Sequence, residues 1–229
     1  MFKLKSKLIV AVMVIIGITA FMSCEKQSIE TENEFVNPKN EIGKMHNIQL
    51  QYVLENTKTI PDKNNVISHV EEILSQQNTL KSTVSLSSIP GFPENFDDLD
   101  MNNWVNEFDI SSKLKSEILI TFQIFQSASD LNDIIDQIEA REVNASKIFS
   151  GNELDLFYEH LAVAKYTATF WAPEEQGGMN GIQYINVSNL KSAQAVNWWK
   201  VLGVDCVGGM MGAAVGYAGA SAIAVIMQL

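Results

Sequence analysis

Along most of this chain the apolar positions recur three and four residues apart, a period that predicts helices rather than strands. Ile42, Met45, Gln49, Tyr52 and Val53 fall on one face of a first helix that ends near Asn56. Ile60-Pro61-Asp62 breaks the chain, and Val66, Ile67, Val70, Ile73, Leu74 and Leu80 make a second stripe. Ser82 to Pro93 reads as a Ser-rich loop, followed by a short helix around Trp104, Val105 and Phe108. Ser111-Ser112 then caps a strongly apolar segment with two stripes, Leu114, Ile118, Phe122 and Phe125 beside Ile120 and Ile124. Two stripes imply cover on several sides, so this helix is expected to be the central one. Leu131, Ile134, Ile135 and Ile138 mark the next helix. Ser150-Gly151-Asn152-Glu153 has the spacing of a capping box. The helix it opens carries Leu154, Phe157, Tyr158, Leu161, Ala164, Ala168 and Trp171 until Pro173 ends it. Gly177-Gly178 to Val187 is a loop with one short extended piece expected at Ile182 to Val187. Alternating runs are otherwise missing. The expected fold class is all-α, an irregular helical bundle closed by a C-terminal small-residue, glycine-zipper-like helix.

The two ends of the chain depart from this amphipathic pattern. Lys3, Lys5 and Lys7 precede an apolar run from Leu8 to Met22, interrupted only by Gly17 and Thr19. Its fifteen residues suit the core of a signal peptide and fall short of a bilayer-spanning helix. Ser23-Cys24 follows, and the charge changes sign at Glu25. The Cys24 thiol is the nucleophile that lipid transfer needs, so lipidation at Cys24 is expected. Phe21-Met22-Ser23-Cys24 is an imperfect lipobox, with Phe21 where Leu is usual. Ordinary secretory cleavage nearby, or an uncleaved anchor helix, are the alternatives. The expected organisation is a signal peptide over 1–23, a flexible tether over 24–40 and a helical domain over 41–200. A Gly/Ala-rich hydrophobic helix over 201–229 completes it.

Cys206 to Leu229 holds no charge in twenty-four residues, about 36 Å if helical. Gly208, Gly212, Gly216, Ala220 and Ala224 stand four apart and form a ridge of small side chains. Such ridges let helix backbones approach closely. Glycines weaken an isolated helix by nearly 1 kcal/mol each relative to Ala, so the ridge is costly unless something packs into it. Three readings fit: a helix buried in the domain, a segment that inserts or self-associates in a bilayer, and a bacteriocin-like or pore-forming peptide. Trp198-Trp199-Lys200, just upstream, suits either an interfacial anchor or a core.

Charge and composition narrow the chemistry. Removing the three signal lysines takes the formal charge from −11 to −14, and an acidic body repels nucleic-acid phosphates. The only cysteine besides Cys24 is Cys206, so acylation of Cys24 leaves no intramolecular disulfide, and a four-ligand zinc site is disfavoured. Asp98, Asp100, Asn102, Asn106 and Asp109 follow an EF-hand spacing, but Asn103 stands where glycine is needed, and Asp109 is too short for the bidentate ligand. A hydrated acidic helix start explains them better. So too for the wider acidic stretch Glu94, Asp97, Asp98, Asp100, Glu107 and Asp109. His46, His69 and His160 are not at ligand spacing from one another, and His46-Asn47 is expected to hydrogen-bond inside the bundle. No nucleophile elbow or phosphate loop occurs. No catalytic residue, metal or cofactor is therefore expected.

Short motifs also resemble something known. Asn37-Pro38 leads into Gly43-Lys44-Met45-His46-Asn47 and Leu50-Gln51-Tyr52. Leu161 to Ala168 ends at Phe170-Trp171, and Trp198-Trp199-Lys200-Val201 precedes the tail opening at Asp205. This set resembles a group of uncharacterised Bacteroidota lipoproteins with an N-terminal Gly-x-x-His-Asn helix and a small-residue C-terminus. The resemblance covers about a third of the chain. It implies the cell envelope and brings no activity or site residues. The expected protein is a non-enzymatic envelope lipoprotein, lipid-anchored at the outer membrane, with an unknown envelope protein as partner and no nucleic acid. The alternative is a membrane-active protein that also meets the bilayer through its C-terminal helix.

Overall fold

The computed structural model describes residues 35–76, 99–185, 201–205 and 214–228, and every regular element among them is helical. In chain order these are α1 (Asn40–Asn56), α2 (Val66–Ser75), α3 (Met101–Asn106) and α4 (Ser112–Ser127). Then come α5 (Leu131–Ile148), α6 (Gly151–Trp171) and α7 (Ala214–Ile226). Residues 201–205 are helical as well, and 3-10 turns lie at Lys63–Asn65, Glu174–Gln176 and Gly181–Tyr184. The protein is all-α.

The central helix is α6, not α4. Leu161, Ala162, Val163 and Ala164 are four consecutive residues with no exposed surface. At about 100° per residue they sample the whole circumference, so α6 is covered on every side. Helices α1, α4 and α5 and the Gly181–Tyr184 turn provide that cover. Helix α4 keeps Leu119 and Ile120 half-exposed, and of its second stripe Ile124 is buried. Full burial of Phe157 and Leu161 stabilises the fold by about 1.5–3 kcal/mol each.

Helix α7 packs against α1 and α2, with Ala218 to Ile226 buried. The described residues from Val36 onward belong to one compact unit. Two residues at the end of the stretch expected to be tether, Asn37 and Lys39, are bonded to the fold. Asn37 is buried, and its Nδ2 donates to Glu142 Oε1 at 2.7 Å and to the Tyr158 carbonyl at 2.9 Å. Lys39 Nζ donates to Glu159 at 2.9 Å, and that bond raises the ammonium's affinity for its proton. Two successive anchors thus fix the approach to α1.

Three local expectations change. The inward face of α1 is Gly43, His46, Asn47, Gln49, Leu50, Val53 and Leu54; Gln49 and Val53 of the expected stripe lie on it, while Ile42, Met45 and Tyr52 stay half-buried. The expected stripe was partly rotated, because the inner face carries a glycine and three polar residues, of which only Gln49 was placed there. The extended piece expected from Ile182 is a 3-10 turn over Gly181–Tyr184, and Asn186 and Val187 lie outside the described residues.

The capping box at Ser150 does not close. Ser150 makes no side-chain cap bond, and Gly151, the first helical residue, takes φ +56°. Glu153 instead accepts a hydrogen bond from the Ser111 amide at 3.1 Å, while Ser111 Oγ accepts from the Leu114 amide. The reciprocal pair is therefore made between two helices. Ser111→Ala is expected to lower stability by about 1 kcal/mol, and Ser150→Ala by less than about 0.5. Urea unfolding of both variants measures the difference.

Candidate functional site

Polar chemistry in this fold concentrates where α1, α6, α7 and residues 201–205 meet. Helix α1 comes unusually close to α6 because Gly43 has no side chain. A Cβ there would lie 2.5 Å from the Tyr166 ring and 2.7 Å from the Ala162 carbonyl oxygen. One turn later Asn47 Nδ2 donates to the Tyr166 carbonyl at 2.8 Å. That bond orients the amide, so Asn47 Oδ1 faces His46 Nδ1 at 3.0 Å as an acceptor. His46 therefore carries a proton on Nδ1. In the neutral ring Nε2 is left to accept the Ser221 hydroxyl, 3.0 Å away on α7.

Asp205 completes the group. Its Oδ2 lies 3.8 Å from His46 Nε2, and both residues are fully buried. Thr167 and Trp171 of α6 also approach the carboxylate, yet neither oxygen reaches hydrogen-bond geometry. Burial pushes the Asp205 carboxyl above the ordinary carboxylate range, and the pull of His46, Thr167 and Trp171 in the other direction is smaller. Gln49, one turn beyond His46, is also fully buried, and neither its oxygen nor its nitrogen has a partner among the described residues.

A serine, a histidine and an aspartate in contact invite comparison with a hydrolytic triad. That chemistry needs the carboxylate on one ring nitrogen and the serine on the other, with the serine open to substrate. Here Ser221 and Asp205 address the same nitrogen, Nε2. Nδ1 is occupied by Asn47, with Thr167 Oγ1 at 3.5 Å, and Ser221 has no exposed surface. The arrangement holds helices together; it does not activate a nucleophile.

Of the residues singled out in the sequence, Ala220 and Ala224 are buried in α7, and Gly216 lies in the same helix. Helical geometry sets Ala220 and Ala224 about 60–100° around from Ser221, beside the polar seam. Cys24, Gly208 and Gly212 lie outside the described residues, as do Trp198, Trp199 and Lys200. Asp100 caps α3, accepting from the amides of Asn102 and Asn103, so its carboxylate is committed to a helix start. Glu107 and Asp109 are exposed, and Asp98 lies outside the described residues. His160 is buried, stacked on Phe157, and His69 is on α2. Among the described residues no group of three His, Cys, Asp or Glu is placed to hold a metal ion.

Two surface grooves lie elsewhere. One, about 370 Å³, runs between α4 and α5 over the Glu117–Arg141 pair. The other, about 310 Å³, lies at the start of α5 beside Trp171 and Leu202. Neither is lined by His46, Asp205 or Ser221.

Hydrophobic periodicity missed the members Thr167, Asp205 and Ser221. Asp205 did carry a signal, as the last charge before the uncharged tail. A single acid at the mouth of an apolar segment needs a partner, and His46 is that partner. No protein-family model matches this chain, and no curated protein or solved structure matches it either.

Proposed function

We propose that this protein is a lipid-anchored component of the cell envelope, attached through Cys24, working as a non-enzymatic structural or interaction module. The anchor reading rests on the basic start, the fifteen-residue apolar run and the Ser23-Cys24 junction. The non-enzymatic reading rests on one observation above the rest. The imidazole, hydroxyl and carboxylate that meet inside the fold are sealed from solvent and converge on a single ring nitrogen. Groups so placed fix helices in register, and a rigid helical body on a lipid tether presents its outer faces to neighbours.

The second reading, membrane activity of the C-terminal segment, draws on the absence of charge from Cys206 to Leu229. No described helix is long and apolar enough to cross a membrane. Activity of that kind therefore requires α7 to leave its place against α1 and α2.

Metabolic labelling with a fatty acid tests the anchor. The full-length protein should take up label, and Cys24→Ala should abolish it. Label retained in Cys24→Ala, or missing from the parent chain, would overturn the proposal.

A further inference from the structure

The sealed pair His46 and Asp205 has a consequence that goes beyond the anchoring and module reading and does not depend on it. We propose that the two side chains act as a one-proton lock on α7: the helix stays docked while the pair shares a single ionisable proton, and adding or removing one loosens it.

The count follows from the bonds. Asn47 keeps a proton on His46 Nδ1 in every docked state. One further proton resides either on Asp205, leaving two neutral groups, or on His46 Nε2, leaving an ion pair 3.8 Å apart. Both arrangements are neutral overall. With the proton lost, Asp205 is an unmatched anion in a region with no exposed surface. With a second proton gained, His46 is an unmatched cation beside a neutral acid. A buried net charge is strongly unfavourable either way.

The linkage runs in a definite direction for Asp205. Its folded carboxyl is held above the unfolded value of 3.8. The stability it contributes is therefore full below that value, and is lost as pH rises through the folded value.

Among the described residues, the other ionisable groups near the seam are engaged elsewhere or do not act on Asp205. On α6, Lys165 is bonded to Glu142 and Glu139, and Tyr166 offers the seam its backbone carbonyl. Thr167 and Trp171 on α6, Asn47 and Gln49 on α1, and Ser221 on α7 carry no charge. Tyr184, from the turn against α1 and α6, stacks on Phe170. Helix α2, on the other flank of α7, carries His69, Glu71 and Glu72, none of which is among the groups acting on Asp205.

Opening has a specific product. Undocked, α7 presents Ala218 to Ile226 with no charge, while α1 is left with a bare apolar and polar seam.

Hydrogen-exchange mass spectrometry of the full chain in mild detergent, from about pH 4 to about pH 10, tests the lock. Protection factors, corrected for intrinsic rates, are compared between peptides of 214–226 and of 151–171. In the parent chain, protection of 214–226 should peak at intermediate pH. On each side it should fall about tenfold per pH unit, the signature of one proton, while 151–171 stays protected. Asp205→Asn should remove the alkaline loss only, and His46→Gln the acid loss only. A flat profile for 214–226 would overturn the proposal, as would variants that keep both limbs. If a variant does not fold, the parent profile still decides, because the lock demands both limbs.

Discussion

Replacing Lys165 with Met should destabilise this protein by about 3–5 kcal/mol, the usual consequence of removing one partner from a buried ion pair. Lys165 Nζ donates to Glu142 Oε2 at 2.9 Å and sits 3.5 Å from Glu139. Glu142 is 1 % exposed, so its carboxylate depends on that ammonium. Without Lys165 the neutral Asn37 amide is the one remaining partner among the described residues. Asn37 is itself the anchor that brings the chain into α1, so the loss is expected to spread to residues 36–40. The converse change, Glu142→Gln, should be milder, because Lys165 retains the half-exposed Glu139. The double variant Lys165→Met with Glu142→Leu should recover most of the loss, since neither charge is then buried. Urea unfolding of the three variants gives the comparison. A loss under about 0.5 kcal/mol for Lys165→Met would mean that Glu142 reaches water.

Gly43→Ala should also destabilise, and here the sign carries the argument. In an isolated helix Ala is better than Gly by nearly 1 kcal/mol. At this position the new methyl would meet the Ala162 carbonyl oxygen at 2.7 Å. The Tyr166 ring can swing aside, but a backbone carbonyl in the middle of the central helix cannot. Overpacking of that kind costs about 1–3 kcal/mol, which outweighs the propensity gain, and Gly43→Val should lose more. The shift of α1 needed to relieve the clash would also stretch the Asn47 bond to Tyr166 one turn on. Thermal or urea unfolding reads the result, and a rise in stability for Gly43→Ala would show that α1 and α6 are not in contact there.

These two sites show which parts of the fold can be read from the sequence. Helices ending at Asn56, opening after Ser111 and stopping before Pro173 are all set by local signals: apolar periodicity, a capping serine and a proline. The rotation of α1 was not legible, because hydrophobicity weights Ile42 and Tyr52 above Gly43 and His46, and only the partner helix makes a glycine an inward residue. The capping box failed for a related reason. Its spacing is correct, but Glu153 finds the Ser111 amide in another helix, a choice made by tertiary proximity. The polar seam was half legible. His46-Asn47 could be expected to bond inside the bundle, yet Ser221 and Asp205 are 175 and 159 positions away, and nothing local links them. The small-residue ridge predicted a close neighbour, and its members Ala220 and Ala224 are buried. It could not say that α1 and α2 are the neighbours of α7.

The account stands on the two ends of the helical body meeting, with His46 of α1 bonded to Ser221 of α7. A double-mutant cycle on the full chain, combining His46→Leu and Ser221→Ala and followed by urea unfolding, measures that contact directly. The account predicts a coupling of about 1 kcal/mol or more between the two changes. Additivity to within about 0.3–0.5 kcal/mol would contradict it, for it would mean that α7 does not rest against α1.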